Sequence, residues 1–154
     1  MCVNPDWFIG VINNKSIHNY IYVNKIKGDG YCLFNAVIQS IQCQLPGFEW
    51  LTTDVLIQMV NTDIMNNIDT YFTFMHNMSR DEFLVMLNKY LKFGNFNSQL
   101  GDLMPEVIVN VLDTGLLIFD NHMTLSLSRT TIIESKSKTW LIIAKSGQHY
   151  DSLS

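Results

Sequence analysis

Two short blocks, far apart in the chain, hold residue types that together perform thiol chemistry: Gly28-Asp29-Gly30-Tyr31-Cys32 and His149-Tyr150-Asp151. A cysteine in the first turn of a helix feels about half a positive charge from the helix dipole, which favours the nucleophilic thiolate. Gly28 and Gly30 allow a tight backbone whose N–H groups can point at a developing oxyanion. If the segment after His149 is extended, Asp151 projects on the same face as His149, because side chains two apart in a strand point the same way. A carboxylate on one imidazole nitrogen orients the ring and stabilises its charged form, while the other nitrogen addresses the thiol. Taken singly, a cysteine in an apolar helix is a small core residue, Gly-Asp-Gly is a turn and a histidine near a terminus is solvated. The signal is their coincidence.

The surrounding sequence supplies elements able to present these groups. Asn19–Ile26 is rich in β-branched and aromatic residues and reads as a strand, broken by Lys27-Gly28-Asp29-Gly30. From Cys32, the apolar residues Leu33, Ala36, Val37 and Ile41 recur at helical spacing, so the turn leads directly into a helix with Cys32 in its first turn. Val55, Leu56, Met59, Val60 and Ile64 trace a second amphipathic helix. Ser79-Arg80-Asp81-Glu82 has capping-box spacing and starts a third, with Phe83, Met86, Leu87, Tyr90 and Leu91 inward and Gly94 at its end. Pro105 fits the first turn of a fourth, carrying Val107, Ile108, Val111 and Leu112. Leu116–Phe119, Thr130–Ile133 and Thr139–Ala144 read as strands. Helices early and strands late predict an α/β or α+β domain spanning residues 1–154, with helices packed around a small central sheet.

Composition narrows the function classes. A net charge of −4 argues against binding a phosphate backbone, which needs a concentrated basic surface, so nucleic acid is not an expected partner. No apolar run approaches the length of a membrane span, and Met1–Trp7, with Pro5 and Asp6, lacks the pattern of a signal peptide. Three cysteines without CxxC spacing predict neither a disulfide framework nor a zinc site; free thiols in a reducing compartment are expected, with Cys43 packed and Cys2 incidental. His18, His76 and His122 lack ligand spacing. The expectation is a cytoplasmic monomer without metal or cofactor.

Gly28-Asp29-Gly30-Tyr31-Cys32-Leu33-Phe34, followed far downstream by His149-Tyr150-Asp151-Ser152-Leu153, resembles the two signature blocks of ovarian-tumour (OTU) cysteine proteases. The resemblance implies that family's papain-type fold and mechanism. Cys32 would attack the isopeptide carbonyl at the C-terminus of ubiquitin or a ubiquitin-like modifier, and His149 would activate it and protonate the leaving lysine amine. Asp151 matches the family's histidine-orienting acid, and Asp29 an aspartate whose loop is associated with the oxyanion hole; Gly28, Gly30 and Tyr31 complete that loop. Two departures stand out. Tyr31 occupies a position where the family often has asparagine, and its ring could narrow or cover the thiol. The family's Trp-Gly middle block has no clean match in Phe93–Asp102. The size is similar to OTU domains of viral or mobile-element polyproteins or of bacterial effectors, which act in a host cytosol. A polyprotein-processing protease and a catalytically weak ubiquitin-binding module are the alternatives.

Overall fold

The computed structural model describes residues 23–24, 26, 28, 30–45, 47–120, 130–137 and 139–153. A two-residue strand β1 (Val23–Asn24) precedes five helices, α1 (Cys32–Gln44), α2 (Thr53–Asn66), α3 (Ile68–Phe72), α4 (Arg80–Phe93) and α5 (Ser98–Leu112). Strands β2 (Gly115–Asp120), β3 (Thr130–Ile133), β4 (Trp140–Ser146) and β5 (His149–Leu153) follow. They form one mixed sheet in the order β1-β5-β4-β2-β3, with β2 and β4 parallel and the other neighbours antiparallel. This α+β architecture matches the predicted class. Val23 pairs with Leu153, so the strand ahead of the Cys32 loop lies beside the strand that carries His149. Of the strand predicted over Asn19–Ile26, residues 19–22 and 25 lie outside the described residues.

Leu141, Ile142, Ile143 and Ala144 are all buried, as are Leu116, Leu117, Ile118 and Phe119, so both faces of the two central strands are covered. That explains their continuous apolar runs. Leu116, Ile118, Leu141 and Ile143 join the helical core, where they meet Phe34, Val37 and Ile41 of α1 and Met104, Val107 and Ile108 of α5. α1 packs over β4 and β5. The Gln44 side chain at its end donates to the Ile142 carbonyl (3.1 Å) and accepts from the Ile142 amide (2.9 Å), taking the place of a neighbouring strand.

The helix starts follow local chemistry. Ser79 Oγ accepts a hydrogen bond from the Glu82 amide, as its spacing predicts, and donates to the Glu82 carboxylate. α5 begins earlier than the sequence suggests: Asn97 caps it by accepting from the Leu100 amide, and Pro105 sits in mid-helix rather than in the first turn. Proline there leaves the Gly101 carbonyl without its intrahelical donor and sets its ring against that carbonyl, a cost that the packing of α5 in the core offsets. Among the described residues Cys32 is the free cysteine, whereas Cys43 is disulfide-bonded, which corrects the expectation of free thiols at that position.

Candidate active site

Cys32 opens α1 and His149 opens β5. Between β4 and β5 stand only Gly147 and Gln148, and Ser146 pairs with His149 across the turn. Gly147 has φ 62°, while Gln148 has none of the positive φ that a type I′ turn would require, the pattern of a type II′ hairpin. So short a turn sets the register of β5 and sends His149 and Asp151 to one face. The Cys32 Sγ lies 4.0 Å from the carbonyl oxygen of Gln148, the residue immediately before His149 and 116 positions from the cysteine in sequence.

His149 Nε2 lies 2.8 Å from Asp151 Oδ1; the histidine side chain is 34% exposed and that of Asp151 only 2%. The same carboxylate oxygen accepts from the backbone amide of Ile26 at 2.8 Å. A buried carboxylate thus ties the segment before the cysteine loop to β5 and orients the imidazole in one contact. An Nε2–H donated to Asp151 leaves Nδ1 of a neutral ring as the acceptor nitrogen.

α1 presents the positive end of its dipole at Cys32. Its N-cap, Tyr31, makes no side-chain cap bond, and no acidic residue sits in the first turn. Neither the N-cap side chain nor a first-turn acid occupies the first-turn amides, which lie at the end where the thiol sits. Behind the site, Tyr90 and Tyr150 are buried. Burial pushes the Tyr150 hydroxyl up to about 12, with Asp102 and Cys32 adding to the effect. Burial raises Tyr90 still further, again with Cys32 contributing. Both remain neutral phenols under ordinary conditions.

Gly30 has φ 87°, a conformation glycine adopts without strain, and a Cβ there would come 2.0 Å from the Gly94 carbonyl oxygen. Tyr31 is half-buried, and its hydroxyl donates to the Leu91 carbonyl at 3.3 Å. Gly28 is exposed, with open space around its Cα. Asp29 lies outside the described residues. The structure therefore gathers Cys32, His149 and Asp151 around the β4–β5 turn, with Gly30 and Tyr31 on the adjoining loop. Leu91 and Gly94, which support that loop, are not evident as site residues in the sequence. Gly94 is readable there as a helix stop, but no local pattern states what a helix end will touch. Among the described residues no group of three or more His, Cys, Asp or Glu is arranged to hold a metal ion.

No protein-family model matches the sequence, and neither does any curated protein. Solved structures do match. An OTU domain in complex with ubiquitin superposes with a TM-score of 0.62 at 20% identity, over 87% of this chain and 69% of that one. The OTU-domain protease of Dera Ghazi Khan virus gives 0.60 at 14% identity, over 92% and 82%. An OTU deubiquitinase from Wolbachia pipientis wMel, bound to ubiquitin, gives 0.55 at 19% identity, over 87% and 95%. The chain has the OTU-domain fold.

Proposed function

We propose that this protein is a cysteine-type deubiquitinase, with Cys32 as nucleophile, His149 as general base and acid, and Asp151 as the residue that orients His149. The observation that carries this reading is the meeting at the β4–β5 turn: the Cys32 thiol 4.0 Å from Gln148, beside a histidine held by a buried carboxylate. The likeness to OTU domains solved with ubiquitin supports the choice of substrate.

In this mechanism His149 takes the thiol proton, and the thiolate attacks the carbonyl carbon of the isopeptide bond. The oxyanion that forms is stabilised by the amides at the start of α1 and by the glycine-bearing loop, the role proposed for Gly28, Asp29, Gly30 and Tyr31. The C–N bond breaks as His149 returns the proton to the lysine amine. Water, activated by His149, then hydrolyses the thioester, releasing the modifier's carboxylate and restoring the thiol. Asp151 stabilises the imidazolium through both steps.

The test is turnover of ubiquitin carrying a fluorogenic C-terminal amide, by the intact chain and by Cys32→Ala and His149→Ala. Turnover by the wild type and none by the two folded variants is expected. Substantial turnover by folded Cys32→Ala would sink the mechanism.

A further inference from the structure

The loop that presents Cys32 is held by the C-terminal turn of α4 at two points. The first is backbone against backbone: Gly30, at φ 87°, leaves no room for a Cβ against the Gly94 carbonyl. Gly94 is itself left-handed, with φ 71°, because it caps α4. Its amide bonds the Tyr90 carbonyl (3.0 Å), and the Asn95 amide bonds that of Lys89 (3.2 Å). With those donors committed, the Leu91 carbonyl is among the last-turn acceptors that have no donor within the helix. The second point supplies one. The Tyr31 hydroxyl, from 60 positions away in sequence, donates to Leu91 at 3.3 Å.

We propose that Tyr31 is a positioning residue: its bond to Leu91, with the Gly30–Gly94 seat beneath it, holds the first turn of α1 so that the Cys32 thiol faces the β4–β5 turn. The proposal rests on the thiol-hydrolase reading above. As N-cap, Tyr31 makes no side-chain cap bond to its own helix and directs its hydroxyl to another, so losing that bond loosens the seat of the residue directly before the nucleophile. Attack by a thiolate needs its neighbours aligned within about half an ångström, so a small drift of the loop lowers the rate without altering what binds. This role is opposite to that of a ring covering the thiol.

The experiment compares wild type, Tyr31→Phe and Tyr31→Ala. Cys32 is labelled by ubiquitin bearing a C-terminal electrophile and, separately, by a haloacetamide, with the modified peptide identified by mass. Maximal rate, half-saturating concentration and final extent are read separately. Tyr31→Phe removes one hydrogen bond, so its maximal rate is expected to fall about fivefold, with half-saturation and extent unchanged. A purely structural role would reduce the extent labelled rather than the rate per folded molecule. A Tyr31→Phe rate equal to wild type, or a Tyr31→Ala rate above it, overturns the proposal. If wild type reacts with the haloacetamide but not with the ubiquitin electrophile, the ubiquitin reading fails instead. Positioning is then decided by the haloacetamide rates, where the same fivefold loss is expected and equal rates refute it.

Discussion

Replacing Asp151 separates the two jobs this residue performs. Its Oδ1 accepts from Ile26, which follows β1, and from the His149 ring, each at 2.8 Å, in a site almost closed to water. Asp151→Ala strands the Ile26 amide, which costs about 1–3 kcal/mol, and releases a histidine whose partial exposure limits its share to about 1 kcal/mol. The expected loss of stability is about 2–4 kcal/mol. Asp151→Asn keeps an acceptor for Ile26 and should cost about 1 kcal/mol, but an uncharged amide no longer stabilises the imidazolium. A charge-assisted hydrogen bond is worth about 1.5–3 kcal/mol, so the rate should fall about 10- to 100-fold. Urea unfolding and turnover of the fluorogenic ubiquitin amide, measured on both variants, give the two quantities. Asp151→Asn at the wild-type rate would refute the electrostatic role. Asp151→Ala at wild-type stability would refute the tie to Ile26.

Gln44→Leu, which strips both side-chain bonds from the Ile142 backbone, should lower unfolding stability by about 2–4 kcal/mol while sparing the rate per folded molecule. A loss under about 0.5 kcal/mol in urea would mean that the amide does not stand in for a strand. At alkaline pH the buried tyrosines set a limit. Tyr150 keeps its proton to about 12 in the folded chain, whereas an unfolded tyrosine loses it near 10. Above pH of about 10 the unfolded chain therefore binds fewer protons than the folded one, and stability falls as pH rises, by about 1 kcal/mol for this group at pH 11. Tyr90 acts in the same direction. Urea midpoints at pH 8.5 and 11 test this, and an alkaline loss undiminished in Tyr150→Phe would contradict it.

The parts of this fold that depend on neighbours in sequence could be read directly. Cys32 begins its helix where the break at Gly30 and the spacing of Leu33, Ala36, Val37 and Ile41 predict, and the Ser79 cap forms as its S-x-x-E pattern requires. His149 and Asp151 share a face because β5 is extended, a property of period two alone. What could not be read was contact between elements far apart. The approach of Gly94 to Gly30 and the reach of Tyr31 to Leu91 depend on where α4 ends in space. Gln44 paired with Ile142 has no local signature for the same reason. Pro105 misled because proline favours a first turn, while the true start lies at the weaker signal of Asn97 ahead of Leu100, Leu103 and Met104. The short α3, only Ile68–Phe72, carries too few apolar positions to show a period.

In the proposed mechanism Cys32 attacks the C-terminus of ubiquitin with the help of His149. The step is tested by the mass of the intact chain after incubation with ubiquitin bearing a C-terminal electrophile, followed by mapping of the modified residue. A gain of one ubiquitin, attached at Cys32, is expected, absent from Cys32→Ala and strongly slowed in His149→Ala. A correctly folded wild-type chain that gains no ubiquitin, or gains it at any residue other than Cys32, would contradict the mechanism.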